Sequence, residues 1–400
     1  MLLCAAFPVS PINTDATKIV LVLMNRKAIR LHRKLRGKIE IMPKIKLTKS
    51  NLPLVYTPGV ADVSRAIGKN MDRVFDYTTK WNNVAIVTDG SAVLGLGNLG
   101  AEAALPVMEG KAMLFRELAG INAFPICLNT HDTGEIINAV KMISPSFGGI
   151  NLEDIAAPKC FDIEQELRNT GIPIMHDDQH GTSIVTLAAL INSLSLVNKD
   201  IADSRISILG AGAAGIGVAH LLLKAGARHV VVSDTHGIIY RGRKENMNPY
   251  KREISRLTNK DRVKGDFKKS LEGSDVFIGV SGVRNIFKEK DINIMSERPI
   301  VFALSNPEPE ITTALAKKAG AYIVGTGRSD LPNQINNALA FPGVFRGALD
   351  SRAKRITDEM KLAAAHAIAH SVRPETKKIL PGVLDKGYVK KVAAAVARSA

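Results

Sequence analysis

Within IPIMHDDQHGTSIV, residues 172–185, a short apolar run is followed by His176, Asp177, Asp178 and His180 before a second apolar run begins. A comparable run in GINLEDI, residues 149–155, is followed by Glu153 and Asp154. Side chains alternate faces along a strand, so neighbouring carboxylates converge on one point only where a strand ends. Three carboxylates drawn from two strand ends make a hard, all-oxygen site suited to Mg2+ or Mn2+. No cysteine stands beside them, so a zinc cluster of His and Cys is not indicated. The bland reading of the aspartate pair is a solvated polar loop, and His176 and His180 read as loop histidines making ordinary hydrogen bonds.

A second chemical pattern is Gly210-Ala211-Gly212-Ala213-Ala214-Gly215. G-x-G-x-x-G alone is a weak signal, but here it follows an apolar run, opens an amphipathic one, and precedes Asp234 at the end of the next apolar run. Gly210 permits a tight turn, Gly212 lets backbone approach a pyrophosphate, and Gly215 lets helix and strand pack closely. The helix N-terminus offers free N–H groups and a positive dipole end. Asp234 is expected to accept from adenine-ribose hydroxyls, which argues for NAD, while Arg241, Arg243 and Lys244 just behind it could take the 2′-phosphate of NADP.

The elements that must position these groups follow from hydrophobic period. VAIVTDG (84–90), FPICLNT (124–130), GINLEDI (149–155) and IPIMHDD (172–178) read as strands feeding polar loops. Helix formers at helical spacing fill GAEAALPVMEGKAMLFRELAG between the first two. From Arg205 onward, RISIL, HVVVSD, VFIGV, IVFALSN and AYIVGTG alternate with helical stretches. Strands alternating with helices imply α/β architecture with parallel sheet, and the second set has the size of one doubly wound, Rossmann-type unit.

Composition sets the frame. The 400 residues are 46% hydrophobic and 23% charged, with three scattered cysteines and no C-x-x-C pair, which favours a reducing, cytoplasmic setting over a disulfide framework. No apolar run reaches the roughly 18–20 residues that cross a bilayer. Net charge is +16, and residues 26–49 hold ten Lys/Arg against one Glu. No aromatics are interleaved for base stacking, so a basic surface is preferred over a nucleic-acid site. Residues 1–24 lack a secretory n-region and are expected to be a disordered extension or to precede a true start at Met24.

Seven ordered segments resemble malic enzyme in its short bacterial and archaeal form: LVYTPGVA (54–61), VTDGSAVLGLGNLG (87–100), PVMEGKAMLF (106–115), FGGINLEDI (147–155), HDDQHGT (176–182), ALSNP (303–307) and TGRSDLPNQINNALAFPGVFRGALD (326–350). The resemblance implies oxidative decarboxylation of L-malate with NAD or NADP, a divalent metal, and a homodimer or higher homo-oligomer. It implies Lys111 as general base, Tyr56 as general acid, and Asp177 as the hydrogen-bond partner of Lys111. It further implies Glu153, Asp154 and Asp178 as metal ligands, Asn306 and Asn337 near malate, and Asn306 and Asn336 near the nicotinamide. The expected division is a catalytic and metal domain over 25–180, a Rossmann-type NAD(P) domain over 181–335, and C-terminal helices over 336–400 returning to the first domain.

One departure stands out. Ala92 occupies the position at which long-form relatives carry an arginine for a substrate carboxylate. Arg65, Arg328 or backbone N–H groups of the Thr88–Gly100 loop are the remaining candidates. The competing function is a metal-independent hydroxy-acid or amino-acid dehydrogenase on a similar two-domain frame.

Overall fold

Short β-branched runs separated by helix formers close into two sheets in a computed structural model that describes residues 26–93 and 96–400. The expected extension at 1–24 lies outside the described residues. Residues 26–35 form a largely exposed helix, and residues 47–400 make up a separate compact unit containing both sheets.

The first sheet contains β1 (Asn83–Thr88), β2 (Asn122–Cys127), β3 (Gly149–Leu152) and β4 (Ile174–His176), parallel in the order β2-β1-β3-β4. The second contains β5 (Arg205–Leu209), β6 (His229–Asp234), β7 (Gly237–Ile238), β8 (Val276–Gly279), β9 (Ile300–Ala303) and β10 (Ile323–Thr326). Its order is β10-β9-β8-β5-β6-β7, and only the two-residue β7 runs antiparallel. β1, β8, β9 and β10 are buried along their whole length. Such strands, covered on both faces, read as continuous apolar runs rather than alternating ones. The connection reverses direction between β5 and β8, and ligands of open parallel sheets bind beyond the strand C-termini at that point.

The helix Asp177–Val197 joins the two sheets. It starts directly after β4, and the expected boundary at 180/181 falls inside its first turns. Asn192 on this helix donates to the carbonyls of Ala369 (2.9 Å) and Ile379 (2.8 Å), tying it to the C-terminal segments. It meets the Ala213–Lys224 helix so closely that a Cβ on Gly217 would lie 2.4 Å from the Gln179 carbonyl oxygen. By length and composition Asp177–Val197 could cross a membrane, yet 72% of its most apolar window is buried inside the protein.

The Asp-Asp pair is therefore not a polar loop. Asp177 and Asp178 are the first two residues of a long helix, whose N-terminal dipole favours acids and whose apolar body supplies the burial. The helix Phe341–Asp350 packs back on the first sheet's helix Ala101–Ala119 through Phe115, whose ring lies 4.7 Å from Phe341 and 5.5 Å from Phe345.

Candidate active site

Lys111 occupies an unusual place. The Ala101–Ala119 helix buries Ala101, Ala104, Met108, Lys111, Ala112 and Phe115, an inward stripe at helical spacing with one lysine in it. The ammonium donates to Glu153 Oε2 and Asp177 Oδ2 and sits 4.4 Å from the centre of the Phe341 ring. Glu153 follows the end of β3, and Asp177 follows the end of β4, so adjacent parallel strands deliver both partners.

Glu153, Asp154 and Asp178 offer oxygens that all lie within 4.8 Å of one another. Asp178 Oδ2 accepts the backbone N–H of Asp154 at 2.9 Å, and Asn151 Nδ2 donates to Glu153 Oε2 at 2.9 Å. Asp154 adopts φ +52°, a left-handed conformation that costs an L residue roughly 1–2 kcal/mol and is typical of functional turns. Asn337 Nδ2 donates to Asp177 Oδ2 at 2.6 Å.

The charge balance is lopsided. Three buried carboxyl groups, Glu153, Asp154 and Asp177, and the half-buried Asp178 share the site with a single lysine, which pairs with Glu153 and Asp177. Burial pushes the Asp177 carboxyl up to about 8, with Glu153 adding to the effect and Lys111 opposing it. Burial likewise raises Glu153 and Asp178. For Lys111 burial favours the neutral form, but Asp177, Glu153 and Asp178 outweigh it and hold the ammonium above its ordinary range. Excess negative charge on a compact all-oxygen trio fits a hard divalent cation.

The histidines beside the pair have different settings. His180 is bonded to Glu164 at 2.8 Å, and Glu164 also accepts the backbone N–H of His176 at 2.9 Å. The fully buried His176 ring places Nε2 3.5 Å from Asp178 Oδ2, and neither ring nitrogen has a hydrogen-bond partner among the described residues.

The glycine motif forms a crevice of about 360 Å³ at the switch point, lined in part by Gly210, Gly212, Asp234, Lys251 and Ser281. Gly210 has φ +119°, and a Cβ on Gly215 would fall 1.8 Å from the Gly210 carbonyl oxygen. Ala213 and Ala214 open the following helix, whose N-cap Gly212 provides no capping side chain. Its first N–H groups are thus available to a phosphate.

Asp234 is already paired within the chain. Its Oδ2 accepts from Arg243, from Lys251 Nζ (2.7 Å) and from Asn246 (3.1 Å), while Oδ1 accepts the N–H of His236 (2.8 Å). Despite its burial, these partners hold its carboxyl below the usual range, Arg243 contributing most among them. Arg243 is buried, whereas Arg241 and Lys244 remain exposed. Lys251, from the helix Pro249–Leu257, was not a sequence candidate; nothing local marks it, because its partner is seventeen positions earlier.

Other candidates stand outside the cluster. Tyr56 follows the short Leu52–Val55 helix at 64% exposure, and no hydrogen bond or ring contact joins it to Lys111. Asn306 lies against Gly327, and Asn336 caps its own turn by accepting the N–H of Ala338 at 2.8 Å. Arg65 pairs with Asp62, and Arg328 with Asp330 at 2.7 Å. The loop bearing Ala92 does reach the cluster, its Ala92 N–H donating to the Asp154 carbonyl at 2.9 Å.

Two family descriptions match the chain: "Malic enzyme, NAD binding domain" over residues 179–400, and "Malic enzyme, N-terminal domain" over 36–135 and 130–168. It is 50% identical over 382 residues to the bifunctional malic/malolactic enzyme of Bacillus subtilis, covering 94% of this chain and 93% of that one. Identity to the NAD-dependent malic enzyme of Geobacillus stearothermophilus is 52% over 369 residues, covering 91% of this chain and 77% of the relative. Among solved structures, the NAD-dependent malic enzyme of Thermotoga maritima superposes with a TM-score of 0.90 at 50% identity, over 92% of this chain and 98% of that one.

Proposed function

The chain belongs to the malic enzyme family, and from that premise we propose that it converts L-malate to pyruvate and CO2 with NAD+ or NADP+ as hydride acceptor and a divalent cation, and that it also decarboxylates oxaloacetate. The observation that carries the reading is Lys111, buried between Glu153 and Asp177 and beside the Asp154–Asp178 pair.

Glu153, Asp154 and Asp178 would hold the cation, and the Gly210–Gly215 turn with the Ala213–Lys224 helix would hold the dinucleotide. Bound there, the dinucleotide supplies the hydride acceptor, and the cation supplies positive charge that polarises the C2 oxygen and offsets the carboxylates' hold on Lys111. Lys111 takes the C2 hydroxyl proton at Nζ, and Asp177 keeps that nitrogen aimed at the substrate. Asn337 fixes Asp177 in turn through its amide. Oxidised malate loses its C4 carboxyl as CO2, and the resulting enolpyruvate requires a proton at C3, which we assign to the Tyr56 phenol.

Exposure of Leu52, Leu54, Val55 and Tyr56 supports a homo-oligomer that covers this edge. Neutralisation of Asp234 by Arg243 and Lys251 favours acceptance of NADP as well as NAD, with Lys251 as the 2′-phosphate partner.

The decisive assay supplies L-malate, Mn2+ and either NAD+ or NADP+, and follows reduced cofactor and pyruvate together. Equal formation of both, abolished by a chelator, is expected. Reduced cofactor without pyruvate would refute decarboxylation, and turnover that survives full chelation would favour the metal-independent dehydrogenase. Lactate formed without net reduced cofactor would point to the malolactic reaction.

A further inference from the structure

Among the described residues Glu310, in the loop that follows β9, shares no hydrogen bond with the lysine cluster, and it is fully buried against Ser281 after β8 and Ser305 after β9. No lysine, arginine or histidine forms an ion pair with it among the described residues. Its Oε1 accepts the Ser281 N–H (2.8 Å), the Ser281 hydroxyl (2.9 Å) and the Ser305 hydroxyl, and its Oε2 accepts the Ser305 N–H (3.3 Å).

The hydroxyl protons have one direction open to them. The Gly282 N–H donates to Ser305 Oγ at 2.8 Å, and the Val283 N–H donates to Ser281 Oγ at 3.1 Å. Each hydroxyl thus spends a lone pair on backbone and turns its proton toward Glu310. Four donors converge on its two oxygens and no basic side chain pairs with it among the described residues, a setting built for a carboxylate.

Ser281 also lines the switch-point crevice with Gly210, Gly212 and Asp234. A dinucleotide in such a sheet runs across the strand C-termini. Its adenosine half belongs at Asp234 after β6 and its pyrophosphate at the glycine turn after β5. The β8 side, where Ser281 stands, is left for the nicotinamide half.

We propose that Glu310 is a positioning residue that fixes the β8 and β9 loops and sets a buried negative charge beneath the nicotinamide end, favouring the oxidised, cationic ring over the neutral reduced one. This rests on the dinucleotide reading of the crevice and adds which redox form the site prefers. A unit charge within roughly 10 Å, at the effective dielectric of a protein interior, separates the affinities of the two forms by about tenfold.

The test measures binding without malate, so that turnover does not enter. NADH is titrated by its fluorescence and NAD+ by calorimetry, with NADPH and NADP+ used instead if that pair binds tighter. The unaltered protein is expected to bind the oxidised form at least as tightly as the reduced form. Glu310→Gln is expected to move the ratio about tenfold toward the reduced form, whereas Glu310→Asp keeps the charge and the wild-type ratio. A role confined to packing would weaken both forms alike.

A folded Glu310→Gln protein whose ratio moves less than about threefold overturns the proposal. If that variant does not fold, the wild-type ratio decides. Reduced cofactor bound more tightly than oxidised overturns the proposal, and the reverse supports it. Failure of the folded wild-type protein to bind either form would instead overturn the dinucleotide reading itself.

Discussion

Replacing Asp177 with asparagine should stabilise the metal-free protein at neutral pH while ending its turnover. In the folded protein this carboxyl stands at about 8, against 3.8 ordinarily. Because the folded value is raised, the folding penalty is absent below the unfolded value, grows as pH rises, and levels off above about 8. At one pKa unit per 1.36 kcal/mol, the penalty at pH 7 is about 4 kcal/mol. Asparagine resembles the protonated acid and removes the cost of withholding ionisation. It also puts an amide where Asp177 Oδ1 has no hydrogen-bond partner, at a cost of about 1–3 kcal/mol. The net gain expected at pH 7 is thus about 1–3 kcal/mol, and it should disappear near pH 4.5. Urea unfolding followed by circular dichroism, with chelator present, measures both proteins at both pH values. A variant less stable than wild type at pH 7, or a difference independent of pH, would refute the charge argument.

Lys111→Ala should lower turnover by about 10²–10⁴-fold, the usual contribution of a positioned acid–base group, with cofactor binding by fluorescence unchanged; near-wild-type turnover would remove it as the base. For Asp178→Asn, Mn2+ affinity should fall at least tenfold in a titration read by electron paramagnetic resonance, since losing even an outer-shell partner costs about 10–100-fold, and an unchanged affinity would strike it from the ligand set. Lys251→Ala should weaken NADP+ about 10–100-fold, the value of one charge-assisted hydrogen bond, and NAD+ far less. Equal weakening of the two would mean that Lys251 only braces Asp234.

Features that depend on local pattern were legible in the sequence. β1, β8, β9 and β10 are unbroken apolar runs because both faces are covered, and the glycine turn combines a tight φ at Gly210 with close packing at Gly215. Glu153, Asp154 and Asp178 could be grouped because strand ends are where neighbouring acids converge. The helical start at Asp177 was not legible, since HDDQHG has the composition of a loop and only its tertiary burial makes a first turn of it. Long-range electrostatics were hidden too. Neither the seizure of Asp234 by Arg243 and Lys251 nor the cation–π contact of Lys111 with Phe341 leaves a local trace. A lysine at an inward helical position is a signal that period analysis can detect, and Lys111 is that case. Tyr56 and the asparagines came from the family resemblance, and the structure separates Asn337, bonded to Asp177, from Asn336, which caps a turn.

The meeting of Gly217 with Gln179 bears on how freely the two halves could be recombined. Asp177 and Asp178 start the same rigid rod that, within its first turn, bears on the helix of the glycine motif. A methyl group at Gly217 would push on that rod only one or two residues from the acids. Chimeras joining the half that carries the acid cluster to another protein's nucleotide half would need that close crossing as well as matching loops. The spacing between the acid cluster and the glycine turn is thus set by backbone touching backbone, so a change of cofactor preference is easier to reach by altering side chains in the crevice than by exchanging whole domains.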